Sequence, residues 1–341
     1  MPPGRAPRLV ITAALLAAAF AVASSPGATR VPVRARAPTV AGCRVLPAAN
    51  AFNQRVDRLP VAAGSSSVLA RIGLSAPVHP DFGTVYNGAP NGIPFTVVSD
   101  PVRRLPVHFT YASESDGHRY PLPRGVAIEG GSHAGGDRHV LVLDRTTCTD
   151  YELFAARPHK GYWTAGSGAI FHLGSDHLRP AGWTSADAAG LPILPGLARY
   201  SEVAAGAIDH ALRFTAPCTG PRYVYPARHI ASSCPPCPRH PASLNGTAYE
   251  SSGCAGPSAP PMGLRVRLKA SVNISSLPYQ ARVVAQALKR YGLILADNGS
   301  PWYISGAPDP RWNDSAMHEL GRLRGSDFQI VNTRSLPHPG L

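Results

Sequence analysis

The chain has almost no lysine. Of its 33 basic side chains only Lys160, Lys269 and Lys289 are not arginine, and with 20 carboxylates the net charge is +13. A nucleic-acid or polyanion footprint needs clustered basic groups. These arginines are scattered through a chain rich in Ala, Gly and Pro, so codon usage in a GC-rich genome explains them more simply. Nucleic acid is not an expected partner.

Several catalytic and metal signatures are also missing. No histidine pair has the HExxH spacing of a metal helix; His172 and His177 are five apart in a loop. Gly166-Ser167-Gly168 and Gly182-Trp183-Thr184-Ser185 are not G-x-S-x-G elbows, and no glycine loop is built for phosphate. Cys234-Pro-Pro-Cys237 lacks the second CxxC of a zinc site, and its prolines disfavour the helix start of a redox motif. No metal or cofactor is expected. No internal repeat and no mid-chain Gly/Ser linker interrupts the sequence.

Beyond residue 23 no apolar run is long enough to span a membrane. Residues 1–23 read as a secretory signal: Arg5 and Arg8, an apolar stretch from Leu9 to Phe20, then Ala21-Val22-Ala23. Val40-Ala41-Gly42-Cys43 looks like a lipobox but lies too far downstream to be one. An exported, extracellular monomer follows as the expectation, with no membrane partner. Its six cysteines then read as disulfides: Cys43–Cys148 as a long-range clamp, and two local bridges among Cys218, Cys234, Cys237 and Cys254.

Residues 24–42 read as a disordered lead-in, and 43–341 as one β-rich domain with a Cys/Pro-rich insertion at about 216–260. Strands are expected at Phe95–Val98, Val107–Tyr111, His139–Asp144, Tyr151–Ala155, Ala169–Leu173, Ala211–Thr215, Leu264–Ala270 and Phe328–Val331. His139–Asp144 and Tyr151–Ala155 form a hairpin. In Leu264–Ala270, Arg265, Arg267 and Lys269 share one face, either solvated or lining a groove for an anionic polymer. Asp297-Asn298-Gly299 reads as a hairpin turn between Leu293–Ala296 and Trp302–Ser305. Helices are expected at Ser65–Ile72, Asp314–Leu323 and, most clearly, Pro278–Tyr291. The fold class is mainly β, with a β-sandwich or jelly-roll-like core and a few peripheral helices; the alternative is α+β, with the C-terminal helix packed on one sheet.

Four stretches have a familiar look: HPDFG (His79–Gly83), GDRHVLVLD (Gly136–Asp144), GWTSADAAGLPILPG (Gly182–Gly196) and ILADNGSPWYISGAPDPRW (Ile294–Trp312). By these the chain resembles a family of uncharacterised secreted proteins of soil bacteria, from Cys43 to about Val331. The resemblance transfers no catalytic residue.

Candidate chemistry therefore rests on residue types. Glu129, in Ile-Glu-Gly-Gly, lacks an obvious capping role. Trp183-Thr184-Ser185-Ala186-Asp187 places an indole, two hydroxyls and a carboxylate together, although Thr184 or Ser185 could simply cap a short helix. Asp137, Asp144 and Asp150 suit turn capping. On a regular strand His139 and Asp144 point to opposite faces. The leading expectation is a secreted carbohydrate-active protein that hydrolyses polysaccharide with Glu129 and Asp187 as the carboxylate pair. His139 joins them as a catalytic candidate; Trp163, Trp183 and Trp302 are candidates for sugar stacking, and Arg199 and Asp297 for substrate contact. The alternatives are a non-catalytic protein that binds extracellular or cell-wall glycan, and a lyase for an acidic polysaccharide with His139 or a tyrosine as base.

Overall fold

The computed structural model describes residues 38–99, 102–234 and 258–340, together with Met1, Gly4 and Gly256. The expected signal peptide, apart from Met1 and Gly4, lies outside the described residues, as do Cys237 and Cys254 and with them the second expected local bridge. Three larger sheets are built from β1 (His79–Asp81), β2 (Phe95–Val98), β3 (Arg104–Phe109), β4 (Arg119–Pro121), β5 (Val140–Asp144), β6 (Thr149–Phe154), β7 (Arg157–Pro158), β8 (Trp163–Ala165), β9 (Ser167–His172), β10 (Leu212–Ala216), β11 (Arg265–Leu268), β12 (Leu293–Asn298), β13 (Tyr303–Ser305) and β14 (Phe328–Ile330). Helices α1 (Ser65–Ile72), α2 (Tyr200–Ala204), α3 (Tyr279–Arg290) and α4 (Asp314–His318) lie among them. The chain is mainly β with peripheral helices, as its sequence implies.

The sheets stack in layers. The middle sheet runs β9-β6-β5-β2, and the expected hairpin is its centre, with Asp144 opposite Thr149 and Leu141 opposite Glu152. Side chains alternate across it. Val140, Val142, Tyr151 and Leu153 pack against Val107, Tyr120 and Trp163 of the sheet β7-β8-β3-β4. On the other face Leu141 and Leu143 join a larger core with Leu212, Phe214 and Ile294 of the sheet β14-β11-β12-β10-β13-β1. Each sheet contains a parallel pair (β2/β5, β3/β8, β10/β12), so the layering is sandwich-like while the connectivity is more mixed than an antiparallel jelly roll. The amphipathic helix α3 buries Ala281, Val284, Ala285 and Leu288, and it lies against β11.

The turn of the hairpin is held twice. Asp144 Oδ1 accepts the Thr146 and Thr147 amides at 3.0 and 3.4 Å, the expected capping role. Cys148 in the same turn is bridged to Cys43, 105 residues away. Cys218 is bridged to Cys234, one of the two expected local bridges.

Four expectations need correction. The ordered chain begins before Cys43, because Thr39–Val40 pairs with Cys43–Arg44. Asp297–Gly299 is not a hairpin turn: β12 continues to Asn298, and β10 lies between β12 and β13, parallel to β12. The short C-terminal helix stops at His318 and continues as a 3-10 turn over Glu319–Arg322. The arginines of β11 are buried rather than solvated, although Arg265 borders a small pocket with Ala51, Gln54 and Tyr225. The segment 51–56 lies across these arginines, and the Arg265 guanidinium donates to the carbonyls of Ala51 (2.6 Å), Gln54 (3.0 Å) and Tyr291 (2.6 and 2.9 Å). Burial without a carboxylate partner pulls Arg265 down to about 9. Arg267 is buried beside it and donates to the Val56 carbonyl.

Candidate functional site

Glu129 and His139 are brought together by a folded-back glycine loop. Gly130, Gly131 and Gly136 have φ of 69°, 91° and 69°, the left-handed region that favours glycine. The buried Arg138 holds the loop from inside, donating to the carbonyls of Ala134 (2.7 Å), Ser132 (3.1 Å) and Ala156 (3.0 Å). Glu129 is thereby locked to His139. Its amide donates to the His139 carbonyl at 3.0 Å, and its Oε2 accepts the His139 amide at 3.2 Å and the ring Nδ1 at 2.6 Å. The other ring nitrogen donates to the Ala186 carbonyl at 3.1 Å, which ties this pair to the residue beside Asp187.

The loop that carries Asp187 forms no helix, so Thr184 and Ser185 cap none. The Ser185 hydroxyl instead accepts the Asp187 amide at 2.9 Å and closes a tight turn. Asp187 is fully buried and bidentate to Arg213, with Nε–Oδ2 at 3.1 Å and Nη2–Oδ1 at 2.8 Å. The remaining Arg213 nitrogen, Nη1, donates to Ser305 Oγ at 2.5 Å, and Nη2 lies 3.7 Å from Asp297 Oδ2. Asp81 pairs in register with Ser305 across β1 and β13. Two buried cations, Arg213 and the His139 imidazolium, thus stand behind Glu129, Asp297 and Asp81. All three of these carboxyl groups retain solvent exposure, as does Asp137 nearby.

The electrostatics divide these carboxyls. Burial pushes Asp297 up, and the Asp187 charge adds to it; Arg213 and His139 offset only part, and the group rests at about 7. Burial also raises Asp81, with the Glu129 charge reinforcing the shift. For Glu129 burial again acts upward, but the charge and hydrogen bond of His139 outweigh it and leave the carboxyl below its ordinary value. His139 is the reciprocal case: burial depresses the imidazole, yet the Glu129 carboxylate lifts it to about 9. At neutral pH His139 is therefore a cation whose two N–H groups are both engaged. Such a ring orients Glu129 and is not free to act as a base. Next to Asp81 the rings of His79 and Tyr303 stack at 4.1 Å, a partly exposed aromatic pair at the edge of this group.

Several sequence candidates lie elsewhere. Trp302 is fully buried, stacked on Phe214 (5.4 Å) and Phe328 (4.7 Å), and Trp163 and Trp312 are core residues, so none of them can stack on a sugar. Trp183 keeps part of its surface, with the Arg179 guanidinium 5.5 Å from its ring. Arg199 is buried, bonded to the Leu194 carbonyl (2.9 Å) and Glu202 (2.5 Å). Asp187, at 0% exposure, holds Arg213 and cannot meet a polymer. Asp150 is no turn cap: it is fully buried on β6 beside Glu152, whose carboxylate accepts the amides of Ile193 and Leu194. Residues that the motifs left out are central. Arg213 and Ser305 organise the site, and the only signal for Arg213 was an arginine inside an apolar strand.

A pocket of about 280 Å³ lies between Pro94–Phe95, Arg199–Tyr200 and Ala307–Pro308, and another of about 150 Å³ sits over Phe171 and Leu191. Among the described residues no group of three or more His, Cys, Asp or Glu side chains is placed to hold a metal ion, and no helix is long and apolar enough to cross a membrane. No protein-family model, no curated protein and no solved structure matches this chain.

Proposed function

We propose that this is a secreted carbohydrate-active protein that hydrolyses polysaccharide by general acid–base chemistry, with Asp297 as the acid and Glu129 as the base or nucleophile. One observation carries the reading. Glu129 and Asp297 are both set against the buried Arg213 and His139, yet their environments move their proton affinities in opposite directions. Two carboxyls so divided are what acid–base hydrolysis of a glycosidic bond requires. A pure binding module has no need of this division. Asp187, the partner expected from sequence, takes the supporting role of fixing Arg213.

The rim suggests the kind of glycan. Asp81, Asp137, Glu129 and Asp297 face outward while the cations lie behind them. That sign of charge disfavours an acidic polymer, and with it the lyase reading, which also loses His139, one of its two candidate bases. Export is supported by the two disulfides. The test is a panel of neutral and acidic polysaccharides, assayed for reducing ends and for unsaturated products. Reducing ends from a neutral or amino-bearing glycan are expected, with a loss of about 100-fold or more in Glu129→Gln and in Asp297→Asn. Full rates in both folded variants, or unsaturated products from the wild type, would sink the proposal.

A further inference from the structure

The pocket of about 280 Å³ beside the ionic group has the makings of a sugar subsite. Its walls are continuous with the strands that carry the site. Phe95 pairs with Leu141, two residues beyond His139. Ala307 is two residues beyond Ser305, hence within about 7 Å of it along an extended chain, and Ala307 donates to the Ala198 carbonyl at 2.9 Å next to Arg199. The pocket is near the small end of ligand sites, which suits one ring rather than a long segment.

Its lining is partly satisfied and partly waiting. Arg199 borders the pocket but is only 3% exposed; its Nε is sealed from solvent and its other two guanidinium nitrogens are bonded within the protein. Across the pocket the Arg311 guanidinium lies over the Tyr200 ring at 4.4 Å and pairs with Asp309 at 2.6 and 2.8 Å. The Arg311 side chain is 61% exposed, so it can swing away with little loss of packing. That movement uncovers an aromatic face flanked by a carboxylate acceptor. An aromatic face beside a carboxylate and a guanidinium matches a pyranose ring: apolar C–H face, outward hydroxyl donors and acceptor oxygens.

We infer that this pocket binds one neutral sugar unit of the glycan, adjacent to the unit at Glu129 and Asp297, with Tyr200 as its platform and Asp309 and Arg311 as its polar contacts. The inference rests on the hydrolase reading for the identity of the ligand, but binding can be tested without turnover. Trp312 packs edge-on against Tyr200 at 5.3 Å, so displacement of Arg311 should alter tryptophan fluorescence. The probes are cello-, xylo-, manno- and chito-tetraose, titrated into wild type, Asp297→Asn, Arg311→Ala, Asp309→Asn and Tyr200→Ala. The expected result is a saturable signal with one tetraose, kept in Asp297→Asn and weakened about ten-fold in Arg311→Ala and Asp309→Asn, whose side chains lie outside the core. The inference is overturned if a tetraose binds wild type and all three pocket variants equally; the hydrolase reading then stands without this subsite. It is also overturned if no tetraose binds. A retained pocket signal with no cleavage of any polymer would instead remove the hydrolase reading and leave the binding site.

Discussion

The buried pair on β6 makes the sharpest physical prediction. Asp150 and Glu152 are two residues apart on one face of the strand, and both are wholly buried. Glu152 is well provided as an anion: its oxygens accept the Ile193 amide at 2.8 and 3.0 Å and the Leu194 amide at 2.9 Å. No donor among the described residues reaches either Asp150 oxygen. The pair is consistent only if Asp150 is itself the donor, a neutral carboxyl bonded to the Glu152 carboxylate. Burial, then the neighbouring Glu152 charge, push Asp150 well above its ordinary value. The unfolded chain, by contrast, releases this proton near pH 3.9.

The sign follows from linkage. With its folded-state pKa raised, Asp150 carries no penalty below the unfolded value. Above it, the folded protein binds one proton more than the unfolded chain, and stability falls by about 1.4 kcal/mol per pH unit until the folded group ionises. Asp150→Asn keeps an N–H donor toward Glu152 and removes the proton. Urea unfolding of wild type and variant should be followed from pH 4 upward, with the difference in free energy plotted against pH. Groups that do not face Asp150 cancel in that difference; Glu152, which burial raises and the Asp150 hydrogen bond lowers, does not, so its own titration must be followed in both proteins. The variant should gain on the wild type at a slope that grows to about 1.4 kcal/mol per unit from roughly one unit above pH 3.9. A difference that stays flat across the range refutes the shared-proton argument, whichever protein is the more stable.

The remaining predictions concern the site and its frame. Activity should require Asp297 protonated and Glu129 ionised, so the rate should fall as pH rises through about 7, and the acid limb should lie below the ordinary glutamate range; an alkaline limb unchanged in an Asp297→Glu variant that retains activity would contradict the assignment. His139, lifted from about 6.5 in the unfolded chain to about 9 in the fold, contributes stability that is fully present below the unfolded value and lost as pH approaches 9. Its integrated worth is about 3 kcal/mol, and His139→Gln should lose it along with that pH dependence in the same urea assay, while moving the acid limb of any activity upward. Removing the Cys43–Cys148 bridge, which closes 105 residues, should cost about 2–5 kcal/mol by thermal or urea unfolding, with the folded state retained at low temperature.

Most of the longer regular elements are readable from sequence because short-range pattern determines them, whereas the short β1, β4, β7, β8 and α2 have no such signal. Ser65–Ile72 and Phe95–Val98 have the bounds that spacing implies, and α3 differs from its expectation by one residue at each end. The site was only half readable. Glu129 stood out because nothing local explained it, and it does carry a long-range contact. Asp187 stood out for its neighbours, but its partner is 26 residues away and reached only through an irregular loop, which no periodicity encodes. Trp302 and Trp163 fill the core, which composition does not signal, because an aromatic near carboxylates has one composition whether it lines a cleft or fills a core. Trp302 has φ of 61° and turns inward between Phe214 and Phe328. Alternation in Leu264–Ala270 correctly implied two unlike faces, but period two says nothing of what covers each one.

The scarcity of lysine acquires a physical meaning in this fold. Much of the backbone is irregular yet buried, and every buried carbonyl needs a donor. Arginine presents five N–H groups in a rigid fork, whereas lysine offers a compact, strongly hydrated ammonium. Here Arg138 gathers the carbonyls of the Glu129 loop, and Arg265 gathers those of Ala51, Gln54 and Tyr291. Arg179 braces Glu114 and Thr184, while Arg199 braces Leu194. These are cross-braces for loops, placed where a strand ladder is absent. Net charge is consequently a poor guide to what this protein binds: +13 over the whole chain coexists with a rim of Asp81, Asp137, Glu129 and Asp297. The charge that a ligand would meet is set by which side chains the loops leave outside, and at this site those are the acids.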